Sequence, residues 1–400
     1  MSLNDVPSGE RIHIGFFGAR NSGKSSLVNA VTGQQLAVVS DVKGTTTDPV
    51  SKAMELLPMG PVVIIDTPGF DDTGSLGELR VARTREILRK VDVAVLVVDS
   101  TEGLRNTDKE LLSLFGERDI PYVIAYNKSD LAEFEPASSD SITVSALNGT
   151  NINELKEKIA SLAKDIPEAS PLISDLVMTG DTVILVIPID SSAPKGRLIL
   201  PQQQVIREAL EYNIATLCVQ PEGLDAAIKS LKEKPALVIT DSQAFKKVSE
   251  IVPDDILLTS FSILMARHKG ILADCVEGLK ALDSIEDGDK LLISEGCSHH
   301  RQCEDIGTVK LPNLIRRYTG KEISFDTTSG ISFADDLTPY RIVLHCGGCM
   351  LNDREMKSRI KTAKALGCPV TNYGLAIAYM NGILKRSIKV FPDLYEMIGE

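Results

Sequence analysis

The sequence lacks the basic clusters and the long apolar segments that mark several large classes of protein. Its 43 Lys and Arg residues are outnumbered by 55 Asp and Glu residues, the net charge is −12, and no run of basic residues stands out. Binding to nucleic acid or to an anionic membrane depends on such basic surfaces, so we expect neither partner. Apolar runs such as 93–98 are far shorter than the roughly 20 residues that cross a bilayer. Residues 1–10 are polar and acidic, and we expect a cytoplasmic protein.

A disulfide framework is also not expected. The chain has seven cysteines, an odd number, and a reducing compartment disfavours disulfide bonds. Cysteines that cluster in such a protein more often bind metal or carry out redox chemistry.

The 400 residues are too many for one ordinary domain. Short apolar strands alternate with helical patterns throughout, which predicts parallel sheets covered by helices on both faces. We place domain boundaries at 1–168, 172–262 and 263–400. The predicted strands are 11–17, 62–66, 93–99, 122–127 and 141–145, then 183–188, 215–219, 236–240 and 256–259, and finally 290–294, 322–325, 341–344 and 369–372.

A phosphate-binding loop follows the first predicted strand. Gly18-Ala-Arg-Asn-Ser-Gly-Lys-Ser25 fits the P-loop pattern and opens a predicted helix at Lys24. Glycines let the backbone wrap the phosphates, and the helix N-terminus adds partial positive charge. Lys24 would reach the β- and γ-phosphates, and Ser25 would give its hydroxyl to Mg²⁺. The residues assigned to the nucleotide here are Gly18, Asn21, Ser22, Gly23, Lys24, Ser25 and Ser26.

Three further motifs follow predicted strands in the order that a doubly wound sheet requires. Asp66-Thr-Pro-Gly69 supplies a carboxylate for a Mg²⁺ water and, at Gly69, an N–H for the γ-phosphate. Asn127-Lys128-Ser-Asp130 supplies a carboxylate that accepts from N1 and N2 of guanine, which adenine cannot offer. Ser145-Ala146-Leu147 closes the base pocket. The four motifs together predict a Ras-like GTP-binding domain, followed by two further α/β domains.

Gly44-Thr-Thr-Thr-Asp48 resembles the Gly-x-Thr-x-Asp loop of the bacterial Era and tRNA-modification GTPases. This resemblance makes Thr46 the switch threonine on Mg²⁺. Asp71 stands where Ras-type enzymes place their water-orienting Gln. The tRNA-modification GTPases also lack that Gln, and they bind K⁺ through a P-loop Asn and carry a Glu that matches Glu78. The resemblance therefore implies a K⁺ ligand at Asn21 and a catalytic role for Glu78, together with Lys24.

Cysteine and histidine residues cluster in two short segments, Gly296-Cys297-Ser-His299-His300 and His345-Cys346-Gly-Gly-Cys349. Each directly follows a predicted strand, so both are expected at the same edge of a sheet. The three thiolates of Cys297, Cys346 and Cys349 suit a 4Fe–4S cluster. Candidates for the fourth ligand are His299, His345, Glu304 and Asp305. The competing interpretation is a zinc site completed by Cys303 or a histidine; the remaining Cys218, Cys275 and Cys368 are expected in the core.

A C-x-H segment followed by an H-C-x-x-C segment behind a GTPase domain resembles the HydF family, the GTPase scaffolds of FeFe-hydrogenase maturation. The resemblance covers the whole chain. It implies a homodimer built by the middle domain and a 4Fe–4S cluster in the third. It also implies a di-iron precursor that is built with the radical-SAM maturases HydE and HydG and delivered to apo-FeFe-hydrogenase.

Two other functions remain open from the residues alone. One is a tRNA-modification or ribosome-assembly GTPase with a structural zinc domain, which the acidic charge disfavours. The other is a redox enzyme that uses the cluster for electron transfer, for which no substrate motif was found.

Overall fold

The computed structural model describes residues 6–35, 50–69, 83–132, 138–167, 169–189, 198–296, 306–330 and 332–397. The chain divides into two compact units, Met1–Glu168 and Ala169–Glu400. Within the described residues, no helix combines the length and the apolar character needed to cross a membrane.

The first unit is built on a six-stranded sheet in the order β2-β3-β1-β4-β5-β6. Only β2 runs antiparallel to its neighbour among the described strands. The strands are β1 Ile12–Phe17, β2 Val50–Leu56, β3 Gly60–Asp66, β4 Val93–Asp99, β5 Tyr122–Asn127 and β6 Ser141–Thr143, and the helices are α1 Lys24–Thr32, α2 Asn106–Glu117 and α3 Ile152–Lys164.

The central strand β4 shows why the sheet is covered on both faces. All of its residues are buried, and alternate side chains join two different hydrophobic clusters. Val95 packs into one cluster and Leu96 into the other, as the period of two along a strand requires. The parallel strands end at one edge of the sheet, which places the residues after Phe17, Asp66 and Asn127 side by side.

The second unit contains two parallel four-stranded sheets, with the orders β10-β9-β7-β8 and β12-β11-β13-β14. The strands are β7 Thr182–Val186, β8 Ala215–Val219, β9 Leu237–Thr240, β10 Leu257–Ser260, β11 Lys290–Glu295, β12 Ser324–Ser329, β13 Val343–His345 and β14 Val370–Asn372. The α-helices are α4 Leu200–Glu211, α5 Leu224–Ser230, α6 Phe245–Ile251, α7 Phe261–His268, α8 Leu272–Gly278, α9 Leu311–Thr319, α10 Asp353–Ala365, α11 Tyr373–Met380, α12 Leu384–Ile388 and α13 Pro392–Met397.

The two sheets of the second unit share one hydrophobic core, which extends from Leu172 to Phe391. Polar contacts also join them. Arg386 on α12 donates from Nη1 to the carbonyl of Ser249 over 2.6 Å, and Asn372 at the end of β14 donates to the carbonyl of Ser262 over 2.8 Å. The strands that the sequence predicts are all present, with ends shifted by a few residues, and the predicted fold class is confirmed.

Candidate functional site

The phosphate-binding loop has a backbone that only glycine accommodates at two positions. Gly18 has φ +147°, and a Cβ there would lie 2.3 Å from the carbonyl oxygen of Val97. Gly23 has φ +83°, and a Cβ there would lie 2.2 Å from Nδ2 of Asn127. Gly23 is also the N-cap of α1, so the loop delivers the chain directly into the helix N-terminus. This places several backbone N–H groups and the positive end of the helix dipole at one point.

Asp66, at the end of β3, faces two residues of the P-loop. Its Oδ2 accepts from the Ser25 hydroxyl over 2.9 Å, and its Oδ1 lies 3.7 Å from the Lys24 ammonium. Oδ1 is buried, and within the described part of the chain no donor reaches it at hydrogen-bond distance. Burial raises the pKa of Asp66, and Lys24 and Ser25 offset only part of that effect. A buried carboxylate beside a hydroxyl fits the oxygen-rich environment that Mg²⁺ prefers.

Asn127 joins the P-loop to the loop after β6. Its Nδ2 donates to the carbonyls of Ser22 and Gly23 over 3.0 and 3.4 Å. Its Oδ1 accepts from the N–H of Ala146 over 3.0 Å. The side chain is buried, so its amide uses both its donor and its acceptor capacity to hold two loops in register. Asn127 therefore has a structural role in addition to the base recognition that its motif predicts.

The other residues that are predicted to recognise the base lie at the same edge of the sheet as the P-loop. Asp130 is exposed and its Oδ1 accepts from the buried Ser145 hydroxyl over 2.5 Å. Lys128 has φ +67° and donates to Oδ2 of Asp99 over 2.6 Å. Burial raises the pKa of Asp99, but bonds from Lys128 and Thr101 outweigh that effect and hold the pKa below its ordinary value. The Ser145 hydroxyl thus holds the Asp130 carboxylate in one orientation.

Three further predicted residues of the nucleotide site lie among the described residues. Asn21 is exposed in the P-loop with φ +62°, and Leu147 is 82% exposed at the mouth of the base-recognition loop. A Cβ on Gly69 would lie 3.1 Å from the backbone nitrogen of Arg20, so Gly69 approaches the P-loop closely. Thr46 and Glu78 lie outside the described residues.

The two cysteine segments follow adjacent strands. β11 and β13 are parallel neighbours with Ser294 opposite His345, so the residues after them leave the same edge of the sheet. The sulfur of Cys346 accepts from the N–H of Gly296 over 3.0 Å and from the N–H of Gly348 over 3.4 Å. Gly348 has φ +65°, and a Cβ there would lie 2.5 Å from the sulfur of Met356. The tight turn between the cysteines therefore requires glycine.

Burial dominates the electrostatics of both cysteines. It raises the pKa of Cys346, and the N–H groups of Gly296 and Gly348 offset part of the effect. Burial and, to a smaller extent, the neighbouring Cys346 raise the pKa of Cys349 to about 12. Thiolates at these positions therefore need a positive partner such as a metal centre.

His345 is fully buried, and both of its ring nitrogens have partners. Nδ1 lies 2.8 Å from the carbonyl of Cys346, and Nε2 lies 3.1 Å from Nη1 of Arg359. Burial and then the Arg359 charge lower the pKa of His345 to about 3. With both nitrogens engaged, the geometry argues against the prediction that His345 binds iron.

The other predicted metal ligands, Cys297 and His299, lie outside the described residues, as do Cys303, Glu304 and Asp305. Over the described ranges alone, no group of three or more His, Cys, Asp or Glu side chains comes together. Cys275 and Cys368 are buried as expected, whereas Cys218 is exposed on β8 and the prediction of a core position for it is wrong.

Sequence reasoning missed two charged residues beside the cysteine site. Arg359 and Lys269 are both buried, with 1% and 0% of their surface exposed. Arg359 occurs in a stretch that is rich in charged residues, Lys269 directly follows Arg267 and His268, and no motif distinguishes either from a solvated position. The only local signal is the i, i+4 spacing of Glu355 and Arg359, which is common on exposed helix faces.

Curated relatives match the first unit of the chain. The GTPase Der of Wolinella succinogenes is 33% identical over 186 residues, which is 42% of this chain and 39% of that protein. The tRNA modification GTPase MnmE of Nitrosomonas europaea is 34% identical over 160 residues, 38% of this chain and 35% of that protein. The chain thus spans less than half the length of these relatives.

Solved structures are similar to this chain over about the same share of its length. A probable GTP-binding protein engB is 26% identical with a TM-score of 0.32, over 38% of this chain and 100% of that one. The G domain of the T. maritima FeoB iron transporter is 24% identical with a TM-score of 0.31, over 38% of this chain and 99% of that one.

Three family models match in succession along the chain. The 50S ribosome-binding GTPase model matches residues 13–128. The hydrogen maturase F dimerization domain matches residues 172–270, and the hydrogen maturase F tetramerization domain matches residues 273–390. The last two are models of one family and together span more than half of the chain, so this protein belongs to the hydrogen maturase F family.

Proposed function

We propose that this chain is a GTPase that carries a 4Fe–4S cluster and acts as a scaffold in FeFe-hydrogenase maturation. One observation carries the proposal. A nucleotide site at the sheet edge of the first unit occurs in the same chain as a half-buried cysteine pair at a sheet edge of the second. Membership of the hydrogen maturase F family supports the combination.

Hydrolysis of GTP would use the residues that the first unit brings together. Lys24 would leave Asp66 for the β- and γ-phosphates, where its charge is most needed. Ser25 and, through a water, Asp66 would hold Mg²⁺. Among the described residues no donor reaches Oδ1 of Asp66 at hydrogen-bond distance, which supports that assignment. Asp130, oriented by Ser145, would accept from the guanine base. Thr46 would complete the Mg²⁺ shell, and Glu78 would act near the reacting phosphate.

Potassium is proposed as an additional cation at the phosphates. Asn21 lies exposed in the P-loop, one residue before Ser22 and close in sequence to the phosphate-binding glycines. Its amide oxygen is a hard ligand that suits K⁺. A cation held there would stabilise charge that develops in the transition state.

The donor set at the cysteine site fits an iron–sulfur cluster. Cys346 already accepts two backbone N–H groups at its sulfur, as a cluster thiolate does. Cys297 directly follows Gly296, one of those donors, in the sequence. Cys297, Cys346 and Cys349 would therefore hold the cluster. A cluster held by three thiolates supplies one iron with an exchangeable position, and the di-iron precursor would bind there as cargo.

Self-association is proposed to involve the edge strand β8. The side chains of this apolar strand are unusually exposed to solvent. Ala215 and Cys218 are exposed, and Leu217 and Val219 are only half-buried. The backbone N–H and C=O groups at such an edge can pair with another strand. A second copy of the chain is the expected occupant, because β8 lies within the region that matches the dimerization domain. The match at residues 273–390 supports association of such dimers into tetramers.

Other partners follow from the family alone. The radical-SAM maturases HydE and HydG would supply the di-iron precursor, and apo-FeFe-hydrogenase would receive it. The nucleotide state would time these exchanges, because switch loops order on the γ-phosphate.

The alternative is a tRNA-modification GTPase with a structural zinc domain. The similarity to MnmE favours it for the first unit only, over 38% of this chain. The two hydrogen maturase F domains cover the rest and favour the scaffold. Activation of apo-hydrogenase in a defined maturation mixture, compared between the wild-type protein and Cys349→Ser, tests the choice. Equal activation by both proteins would contradict the scaffold proposal.

A further inference from the structure

A buried network of charged side chains lies directly behind the cysteine pair. Its centre is Arg359 on α10, which is 1% exposed. Nε of Arg359 donates to Glu355 over 2.9 Å, and Nη2 donates to the carbonyl of Gly330 over 2.8 Å. Nη1 lies 3.1 Å from Nε2 of His345 and 3.4 Å from the Ser294 hydroxyl. The guanidinium therefore bridges the ends of β11 and β13 to the helix that follows.

The contact between Arg359 and His345 fixes the proton on the imidazole. A guanidinium has only N–H donors, so Nε2 of His345 must accept. The ring proton is then on Nδ1, which donates to the carbonyl of Cys346 over 2.8 Å. The chain of contacts runs from Arg359 through His345 to the backbone of Cys346.

We propose that Arg359 is a positioning residue of the cysteine site, which acts through His345 to hold the Cys346 main chain and keeps the imidazole away from the metal. The inference rests on the proposed cluster and deepens it. It separates the histidine of the H-C-x-x-C segment from the ligand set.

A second buried cation accompanies Arg359. Lys269 follows α7, is 0% exposed, and has its Nζ 3.0 Å from Oδ1 of Asp353 at the start of α10. Both cations are thus paired with carboxylates of one helix, Asp353 and Glu355. Both ion pairs therefore lie in the N-terminal half of α10, the helix that follows the cysteine pair in the chain.

The test uses the full-length protein and a variant that removes the network without leaving a lone buried charge. Glu355→Gln combined with Arg359→Met removes both members of the buried pair, whereas Arg359→Met alone would strand the Glu355 carboxylate. Arg359→Lys keeps the positive charge but removes the planar guanidinium and its fixed set of N–H donors. Lys361→Gln removes a charge from an exposed position of the same helix and is the matched control. Thermal unfolding of each metal-free protein first shows that it folds.

Release of iron to a chelator is then measured after anaerobic reconstitution. The double variant should release iron about 10-fold faster than wild type, as loss of a partner behind a metal ligand typically does. The rate of iron release from Arg359→Lys should lie between the rates of wild type and the double variant, and the rate from Lys361→Gln should match wild type. GTP hydrolysis should stay at the wild-type rate in all of them. A folded double variant that releases iron at the wild-type rate would overturn the inference.

Pulsed EPR with ¹⁵N-labelled histidine separates a positioning role from ligation. A ¹⁵N coupling strong enough to show a histidine bonded directly to iron should not be lost when His345 is replaced in His345→Gln. Loss of such a coupling would make His345 a ligand and overturn the inference while leaving the cluster proposal intact. If wild type instead takes up zinc and no iron, the proposed function fails. The same release assay, run on zinc, then decides the role of Arg359 by the same comparison.

Discussion

Replacing Asn127 by alanine is the most direct test of how the nucleotide site is assembled. The side chain is buried and joins three backbone groups that belong to two different loops, at Ser22, Gly23 and Ala146. Alanine leaves these groups without their partner. The variant should therefore both destabilise the first unit and weaken nucleotide binding.

The size of the effect follows from the two shorter bonds, each 3.0 Å long. A buried group that loses its partner costs about 1–3 kcal/mol, so together they give roughly 3 kcal/mol. A unit of this size loses about 2–4 °C in Tm for each kcal/mol, which predicts a fall of about 6–12 °C. If nucleotide binding requires the two loops in register, the affinity for GDP should fall about 100-fold.

Thermal unfolding and calorimetric titration with GDP measure the two effects. Asn148→Ala is the matched control, because Asn148 is exposed in the same loop and contributes only its backbone N–H to Ser145. It should unfold and bind like wild type. A Tm for Asn127→Ala within 2 °C of wild type (about 1 kcal/mol or less) would refute the reasoning.

Three further predictions concern the base, the cation and the assembly. Asp130→Asn should lower GTP affinity about 100-fold through loss of two charge-assisted bonds and favour xanthosine triphosphate; unchanged selectivity in competition binding would count against the assignment. GTP hydrolysis should be faster in K⁺ than in Na⁺ at equal ionic strength, and Asn21→Ala should remove the difference; equal wild-type rates would exclude K⁺. Cys218→Lys places a charge on the open edge of β8 and should lower the mass seen by light scattering; an unchanged mass would argue against pairing through that edge.

The sheet of the first unit was predictable because its central strands are buried on both faces. β4 and β5 read as continuous apolar runs, and the predicted bounds match the structure. The edge strand β2 was missed. Its residues Ser51, Lys52 and Ala53 are exposed, so it carries no apolar run, and it joins the sheet through pairing with β3 and through contacts of Met54 and Leu56 with a hydrophobic cluster. Single-sequence patterns do not contain that information.

The candidate sites were predictable where chemistry needs fixed spacing. The P-loop glycines and the Cys-Gly-Gly-Cys turn are examples, since both show backbone geometry that other residues would block. The network of Arg359 and Glu355 was not predictable in the same way. Arg359 reaches Ser294 and His345 only through tertiary packing of α10 against β11 and β13, and in sequence its i, i+4 pair with Glu355 resembles an ordinary solvated helix face.

The shared core of the second unit was also not predictable from the sequence. The patterns of β7–β10 and β11–β14 each predict a separate parallel sheet, and periodicity reports only which faces are apolar. It does not report that α7 and α12 bury their apolar faces between the sheets. The core that runs from Leu172 to Phe391 therefore appears only in three dimensions.

The metal content of anaerobically reconstituted protein tests the central claim most directly. Wild type should bind about four irons and four sulfides per chain, with visible absorbance, while it retains GTP hydrolysis. Cys346→Ser should lose the cluster, because serine is a poor soft-metal ligand, and should still hydrolyse GTP. One tightly bound zinc per chain, with no iron and no visible absorbance, would contradict the account of this protein as an iron–sulfur scaffold.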